Sequence, residues 1–237
     1  YGCESIAYTY NEPTIFLEFA HDVGLIARKK GIHNAFVSNG YATPDAVKMM
    51  SEFLDAITVD FKGNGETGFL RRFVAVPDAS PVYQTLLDLK NAKVHLEITD
   101  LVVPKIGDDL REARKLSRWI YDNLGPDIPV HFLRFHPDFK LDNLPWTPVE
   151  TLERHHEIAK AEGLKYVYIG NTSGHPLEST YCAGCGSMVV KRYGFDIAGW
   201  FMDKNNNCLK CGEHIPMVGT LSESAKNNRL YPVTFKH

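Results

Sequence analysis

The chain has 237 residues, of which 44% are hydrophobic and 23% charged, which suits one large folded domain or one domain with a small appendage. Its formal net charge of −3 argues against a broad basic surface, so neither nucleic acid nor an acidic membrane is an expected partner. No apolar run approaches the roughly 20 residues of a membrane-spanning helix, and no secretion signal opens the sequence. We therefore expect a cytoplasmic protein.

Short β-type runs alternate with longer helical patterns over the first 170 residues. The predicted strands are, in chain order, 5–10, 35–38, 56–61, 94–103, 130–135 and 166–170. The predicted helices are 14–30, 44–54, 81–92, 108–124 and 148–163. The last helix follows an expected capping box that starts at Thr147, and its His155 and His156 are expected on a solvated face. Repeated β-then-α units predict an α/β fold with a parallel sheet, either open or closed into a barrel.

Polar residues follow the carboxyl ends of most predicted strands. They are Asn11, Glu12 and Pro13 after the first, Ser38 and Asn39 around the end of the second, Asp60 and Lys62 around the end of the third, His136 after the fifth and Asn171 after the sixth. Taken singly, each strand end is better explained as a turn or a helix cap than as a site. In a parallel sheet these ends share one face, where active sites lie, so together they predict a site.

Four of the five cysteines form two close pairs, which indicates a metal site. The pairs are Cys182 with Cys185 and Cys208 with Cys211, and a glycine follows each pair. Two such turns supply four thiolates to a tetrahedral ion, as in a zinc ribbon. Zinc is the expected ion, while an iron–sulfur cluster and a redox-active pair remain open. Composition predicts three regions, namely a core at 1–173, the four-cysteine knuckle at 174–218 and a tail at 219–237.

Five segments in register carry a resemblance to a known family. They are Ala7-Tyr-Thr-Tyr-Asn-Glu-Pro-Thr14, Val37-Ser-Asn-Gly40, Val59-Asp-Phe-Lys-Gly63, Arg134-Phe-His-Pro137 and Tyr166-Val-Tyr-Ile-Gly-Asn171. Together with the cysteine knuckle, they resemble the AmmeMemoRadiSam-system radical S-adenosylmethionine (SAM) enzymes, which are relatives of pyruvate formate-lyase-activating enzyme. The resemblance runs from about residue 1 to residue 218.

The resemblance implies a partial (β/α)6 TIM-like barrel that holds SAM against a [4Fe-4S] cluster. The cluster reductively cleaves SAM, and the resulting 5′-deoxyadenosyl radical abstracts hydrogen from a substrate. Asn11, Glu12 and Pro13 would occupy the family's Gly-Gly-Glu segment, with Glu12 binding the methionyl ammonium. Lys62, next to Asp60, would bind the methionyl carboxylate. The remaining implied cofactor-binding residues, along the methionyl, ribose and adenine portions, are Ser38, Asn39, His136, Ile169 and Asn171.

One departure from the family concerns the cluster itself. The family's CxxxCxxC motif precedes the strand with which this sequence opens, and Cys3 stands alone. We expect the chain to be truncated before that motif and to lack the first barrel strand, with the cluster ligands outside it. The chain alone is then expected to be inactive.

Two other functions compete with the radical SAM interpretation. In one, the barrel is a non-catalytic scaffold and the zinc knuckle is a binding module. In the other, Lys62 is a Schiff-base lysine of an aldolase-like lyase, but Asp60 two residues away argues against the apolar site that such a lysine needs. By analogy with the family, the expected substrate or partner is a protein of Memo or Ammecr type.

Overall fold

The computed structural model describes residues 3–221, and its first part is a six-stranded parallel sheet. The strands are β1 (Ser5–Tyr8), β2 (His33–Ser38), β3 (Ala56–Lys62), β4 (His95–Val102), β5 (Val130–Arg134) and β6 (Val167–Gly170). Their spatial order equals their sequence order, and every neighbouring pair is parallel. This confirms the predicted α/β class and repeated β-then-α units.

Helices connect the strands as the sequence pattern predicts, with slightly different ends. They are α1 (Leu17–Lys29), α2 (Pro44–Ser51), the single turn α3 (Thr67–Phe69), α4 (Ser80–Asn91), α5 (Leu110–Leu124) and α6 (Val149–Ala161). Local capping explains where they begin. The hydroxyl of Thr43 accepts from the backbone N–H of Ala46, and Pro44 occupies the first turn, where its missing N–H costs nothing. The carboxylate of Asp109 caps α5 in the same way.

Burial alternates along the central strands, which separates the two faces of the sheet. In β3 and β4 every second residue is buried, and the residues between are only partly buried. The buried set, which includes Phe36, Ile57 and Ile98, lies on the face against which the helices pack. The other, inner face carries the partly exposed residues. Because parallel strands end together, polar residues after β1, β2 and β3 are brought to one edge of the sheet.

Two expectations for the last helix are wrong. Thr147 does not cap α6, whose N-cap is Pro148 without a side-chain hydrogen bond. Instead, the buried hydroxyl of Thr147 accepts from the N–H of Phe135 and donates to the carbonyl of Val102, which links the ends of β4 and β5. His155 is fully buried rather than solvated, because it occupies a core position of α6 between Leu152 and Ala159.

The described residues divide into two compact units, one ending at Asn171 and the other beginning at Thr172. The second contains an antiparallel sheet of β7 (Thr180–Tyr181), β8 (Met188–Tyr193) and β9 (Asp196–Trp200). Most of the predicted tail, 219–237, lies outside the described residues. Within residues 3–221, every helix is too short or too polar to cross a membrane.

Candidate functional site

A cavity of about 390 Å³ lies at the carboxyl ends of β1, β2 and β3, and its size is in the range of small-molecule sites. Six residues that the sequence singles out line it, namely Asn11, Glu12, Ser38, Asn39, Asp60 and Lys62. Apolar side chains, including Leu70, Val74 and Val82, form other parts of its wall. The cavity therefore combines two acidic groups and one basic group with apolar surface.

Glu12 is held rigidly between the ends of β1 and β2. Its Oε1 accepts hydrogen bonds from the N–H and hydroxyl of Thr14 and from the hydroxyl of Ser38, at 3.0, 2.6 and 2.8 Å. Its Oε2 accepts from the N–H of Asn39 at 2.7 Å. A carboxylate oxygen offers about two acceptor sites, so Oε2 retains one for a further donor. The side chain is thus fixed in place while one oxygen can still bind a ligand.

Asp60 and Lys62 stand two residues apart at the end of β3 and share one face of the sheet. The Lys62 Nζ lies 3.6 Å from Asp60 Oδ2, and each side chain is about one-third exposed, at 38% and 31%. Asp60 Oδ1 also accepts from the hydroxyl of Thr99 on β4. An ammonium group has three donors, so Lys62 retains donors for a bound anion.

The other predicted cofactor residues lie outside the cavity lining. Pro13 is buried and begins the helical turn before α1. The exposed ring of His136 lies 5.5 Å from that of Trp146. Ile169 is buried in β6. Asn171 has a left-handed φ of 59°, and its side-chain amide donates to the carbonyl of Arg134.

Comparison with known sequences gives one strong relative. No family model matches the chain. It is 40% identical over 219 residues to the uncharacterized protein MJ0808 of Methanocaldococcus jannaschii, an alignment that covers 92% of this chain. The chain spans 64% of the length of that relative.

Comparison with solved structures identifies the architecture. A domain of pyruvate-formate lyase-activating enzyme from Bacteroides vulgatus matches with a TM-score of 0.60 at 18% identity, over 70% of this chain and 98% of that one. SuiB of Streptococcus suis bound to SAM gives 0.54 at 10% identity, over 76% and 42%. The enzyme anSMEcpe with bound SAM and the Cp18Cys peptide gives 0.51 at 18% identity, over 70% and 50%. The chain contains a partial radical SAM fold.

The fold also contains a buried polar network that the sequence pattern did not predict. The N–H of Asn64 donates to Asp100 Oδ1 at 3.0 Å, and the Asn64 amide lies 3.4 Å from His155 Nε2. His155 Nδ1 lies 2.7 Å from the carbonyl of Thr151, which only accepts, so Nδ1 carries the hydrogen and Nε2 accepts from Asn64. Burial lowers the pKa of His155, in keeping with a neutral ring.

Asp100 is the unusual member of this network. It is completely buried in β4, and its Oδ2 has no hydrogen-bond partner among the described residues. Burial raises the pKa of Asp100 to about 7, and the negative charge of nearby Asp60 raises it further. The hydrogen bond from Asn64 and the positive charge of Lys62 lower it. The sequence signal that could have identified it is the alternation of β4, in which Asp100 takes a position of the buried residues Leu96, Ile98 and Val102.

The second unit brings the four paired cysteines together, as predicted. Their sulfur atoms all lie within 4.8 Å of one another. The two turns have the same hydrogen bonds, since Gly186 N–H donates to the Cys182 carbonyl and Gly212 N–H donates to that of Cys208, at 2.9 and 2.8 Å. Both glycines have positive φ, 69° and 77°, which explains the glycine after each pair. Four clustered thiols suit a tetrahedral, thiolate-bound ion.

Proposed function

We propose that this chain is the SAM-binding core of a radical SAM enzyme. The observation that carries the proposal is that Glu12 and Lys62, which have opposite charges, line one cavity at the carboxyl ends of the strands. A methionyl group carries an ammonium and a carboxylate, so these two side chains match its charges. The radical SAM fold supports the proposal, as does the presence of SAM in two proteins with a similar fold.

The residues around the cavity have distinct proposed tasks. The free acceptor site of Glu12 Oε2 would receive the methionyl ammonium, and Lys62 would donate to the methionyl carboxylate. Ser38 and Asn39 keep Glu12 in position and would lie along the methionyl and ribose portion. For the ribose and adenine we propose three residues outside the cavity lining, which are His136, Ile169 and Asn171.

The first unit does not supply the three thiolates that an iron–sulfur cluster needs. Its single cysteine, Cys3, is exposed, and the other four form a group of their own in the second unit. We therefore propose that the ligands of a [4Fe-4S] cluster lie outside this chain. When bound, that cluster would reduce SAM to give the 5′-deoxyadenosyl radical. The task of the residues described here is to bind and orient SAM.

For the cysteine cluster we propose zinc rather than iron. Four thiolates without an open ligand position are typical of structural zinc sites. A reduced, metal-bound state of these cysteines is compatible with a cytoplasmic location, which we also propose. A protein or peptide substrate is supported by the peptide bound to anSMEcpe.

Calorimetric titration of SAM into the chain tests the cofactor site. Glu12→Gln and Lys62→Met each remove one charge-assisted hydrogen bond, which contributes about 1.5–3 kcal/mol, so we expect binding to weaken roughly ten- to a hundredfold. The exposed residues Glu18 and Lys48 provide matched controls as Glu18→Gln and Lys48→Met, for which the affinity should not change. If SAM does not bind the parent chain, or binds both site variants as tightly as the parent, the proposal is wrong.

A further inference from the structure

The inner face of the sheet is polar and partly open, which is unusual for parallel strands. Strands of this kind are normally covered on both faces and apolar. On β3 to β6, however, the inner face carries a continuous set of polar side chains. They are Thr58, Asp60, Lys62, His95, Glu97, Thr99, His131 and Tyr168. Their placement follows from the two-residue alternation of strands. A face of this composition is suited to binding a polar ligand.

Glu97 is the centre of this face. Its Oε1 lies 3.2 Å from His95 Nε2 and its Oε2 lies 2.7 Å from His131 Nε2. The His131 ring stacks on that of Tyr168, with 4.7 Å between ring centroids. Burial alone would raise the pKa of Glu97, but the hydrogen bonds from the two histidines outweigh it and hold that pKa below its usual range. The carboxylate is therefore ionised and firmly oriented.

The cluster has room for one more partner. A carboxylate offers about four acceptor sites, and the two imidazoles use one on each oxygen. The Glu97 side chain is still 34% exposed, so a ligand can reach it. Among the described residues, only the cysteine group has ligand atoms that all lie within 4.8 Å of one another, so the spacing of these three side chains is not that of a metal site.

We propose that Glu97, oriented by His95 and His131, binds a cationic group of the substrate, either an ammonium or a guanidinium. The site lies near the proposed SAM cavity on the same face of the sheet, because the cavity residue Asp60 pairs with Thr99 in the parallel register. Glu97 precedes Thr99 by two residues, roughly 7 Å along the strand. A substrate held there would extend along the inner face toward the cofactor. This inference rests on the proposed function and adds a substrate class to it.

The test uses two probes that differ by one charge, Nα-acetyl-arginine amide and its neutral isostere Nα-acetyl-citrulline amide. Titration of each into the chain is followed through the imidazole proton signals of His95 and His131 in NMR spectra. We expect the arginine probe to shift both signals with a dissociation constant at least tenfold below that of the citrulline probe. Glu97→Gln, which keeps the size and an acceptor oxygen, should abolish this preference, while Glu18→Gln on the exposed side of α1 should retain it.

Equal binding of the two probes, or an unchanged preference in Glu97→Gln, would overturn the inference. A preference for an anionic probe, Nα-acetyl-glutamate amide, would overturn it too, because it would mean that protonated imidazoles dominate the cluster. Titration of the parent chain with SAM separates this result from the proposed function. If SAM fails to bind while the arginine preference persists, only the cofactor proposal falls. If SAM binds and the preference is absent, only the cationic subsite falls.

Discussion

Replacing Asp100 with asparagine should change how the stability of this protein depends on pH. Asp100 is completely buried, and its Oδ2 has no partner among residues 3–221. Burial raises its pKa from 3.8 to about 7. The Asp100→Asn side chain keeps the oxygen that accepts from the Asn64 N–H and is neutral at every pH. It therefore imitates the protonated acid. The pH dependence of the free energy of unfolding should differ between the variant and the parent only over the pH range in which Asp100 ionises.

The sign and size of the effect follow from proton binding. In the unfolded chain Asp100 loses its proton near pH 3.8, whereas in the folded chain it keeps the proton up to about pH 7. Between these values the folded state binds one more proton, so the free energy of unfolding of the parent falls as pH rises. The interval is about three pH units at about 1.4 kcal/mol each. The free energy of unfolding of Asp100→Asn, relative to the parent, should therefore rise by up to about 4 kcal/mol between pH 4 and pH 7 and stay level above that.

Urea denaturation of both proteins at half-unit steps from pH 4.5 to pH 8 measures this difference. Other titrating groups affect both proteins alike, so they cancel in the difference as long as they are distant from the mutated site. Asp142→Asn, at an exposed position, serves as the control for removing one negative charge and should show little pH dependence. A difference between Asp100→Asn and the parent that is constant within about 0.5 kcal/mol across the range would refute the reasoning.

Three further predictions concern the two units. Thr147→Val keeps the side-chain shape but leaves the N–H of Phe135 and the carbonyl of Val102 without the hydroxyl that joins them. The free energy of unfolding in urea should therefore fall by about 1–3 kcal/mol. An unchanged value would contradict this. Gly63→Ala should lower the free energy of unfolding more than Gly31→Ala in the same assay. Both positions have positive φ, which costs roughly 1–2 kcal/mol for alanine, but at Gly63 the new Cβ would also lie 2.6 Å from another side chain, whereas at Gly31 it would meet nothing. Equal losses would exclude the steric effect. Purified parent should contain one zinc per chain and Cys185→Ser much less, with Cys3→Ser unchanged as the control, as measured by elemental analysis; a parent with no metal would contradict the zinc proposal.

The sequence by itself determined the order and type of the six strands of the parallel sheet and of the five longer helices. Apolar runs separated by amphipathic patterns gave the strands and helices of an α/β sheet, because each period follows from local backbone geometry. It also brought six of the ten predicted site residues, among them Glu12, Ser38 and Lys62, to the cavity, since they lie at or after the carboxyl ends of strands, which coincide in any parallel sheet. The paired cysteines predicted their cluster from local sequence too, because each pair with its glycine forms one turn.

Only the tertiary structure decided the roles of side chains whose partners are distant in sequence. Thr147 had the local pattern of a helix cap, yet it joins the ends of β4 and β5. His155 had the pattern of an exposed helical residue, yet it is buried next to Asn64, 91 positions away. Glu97 contacts His131, which lies 34 positions away on the next strand. Burial and hydrogen bonding depend on which elements pack together, and a local sequence pattern does not contain that information.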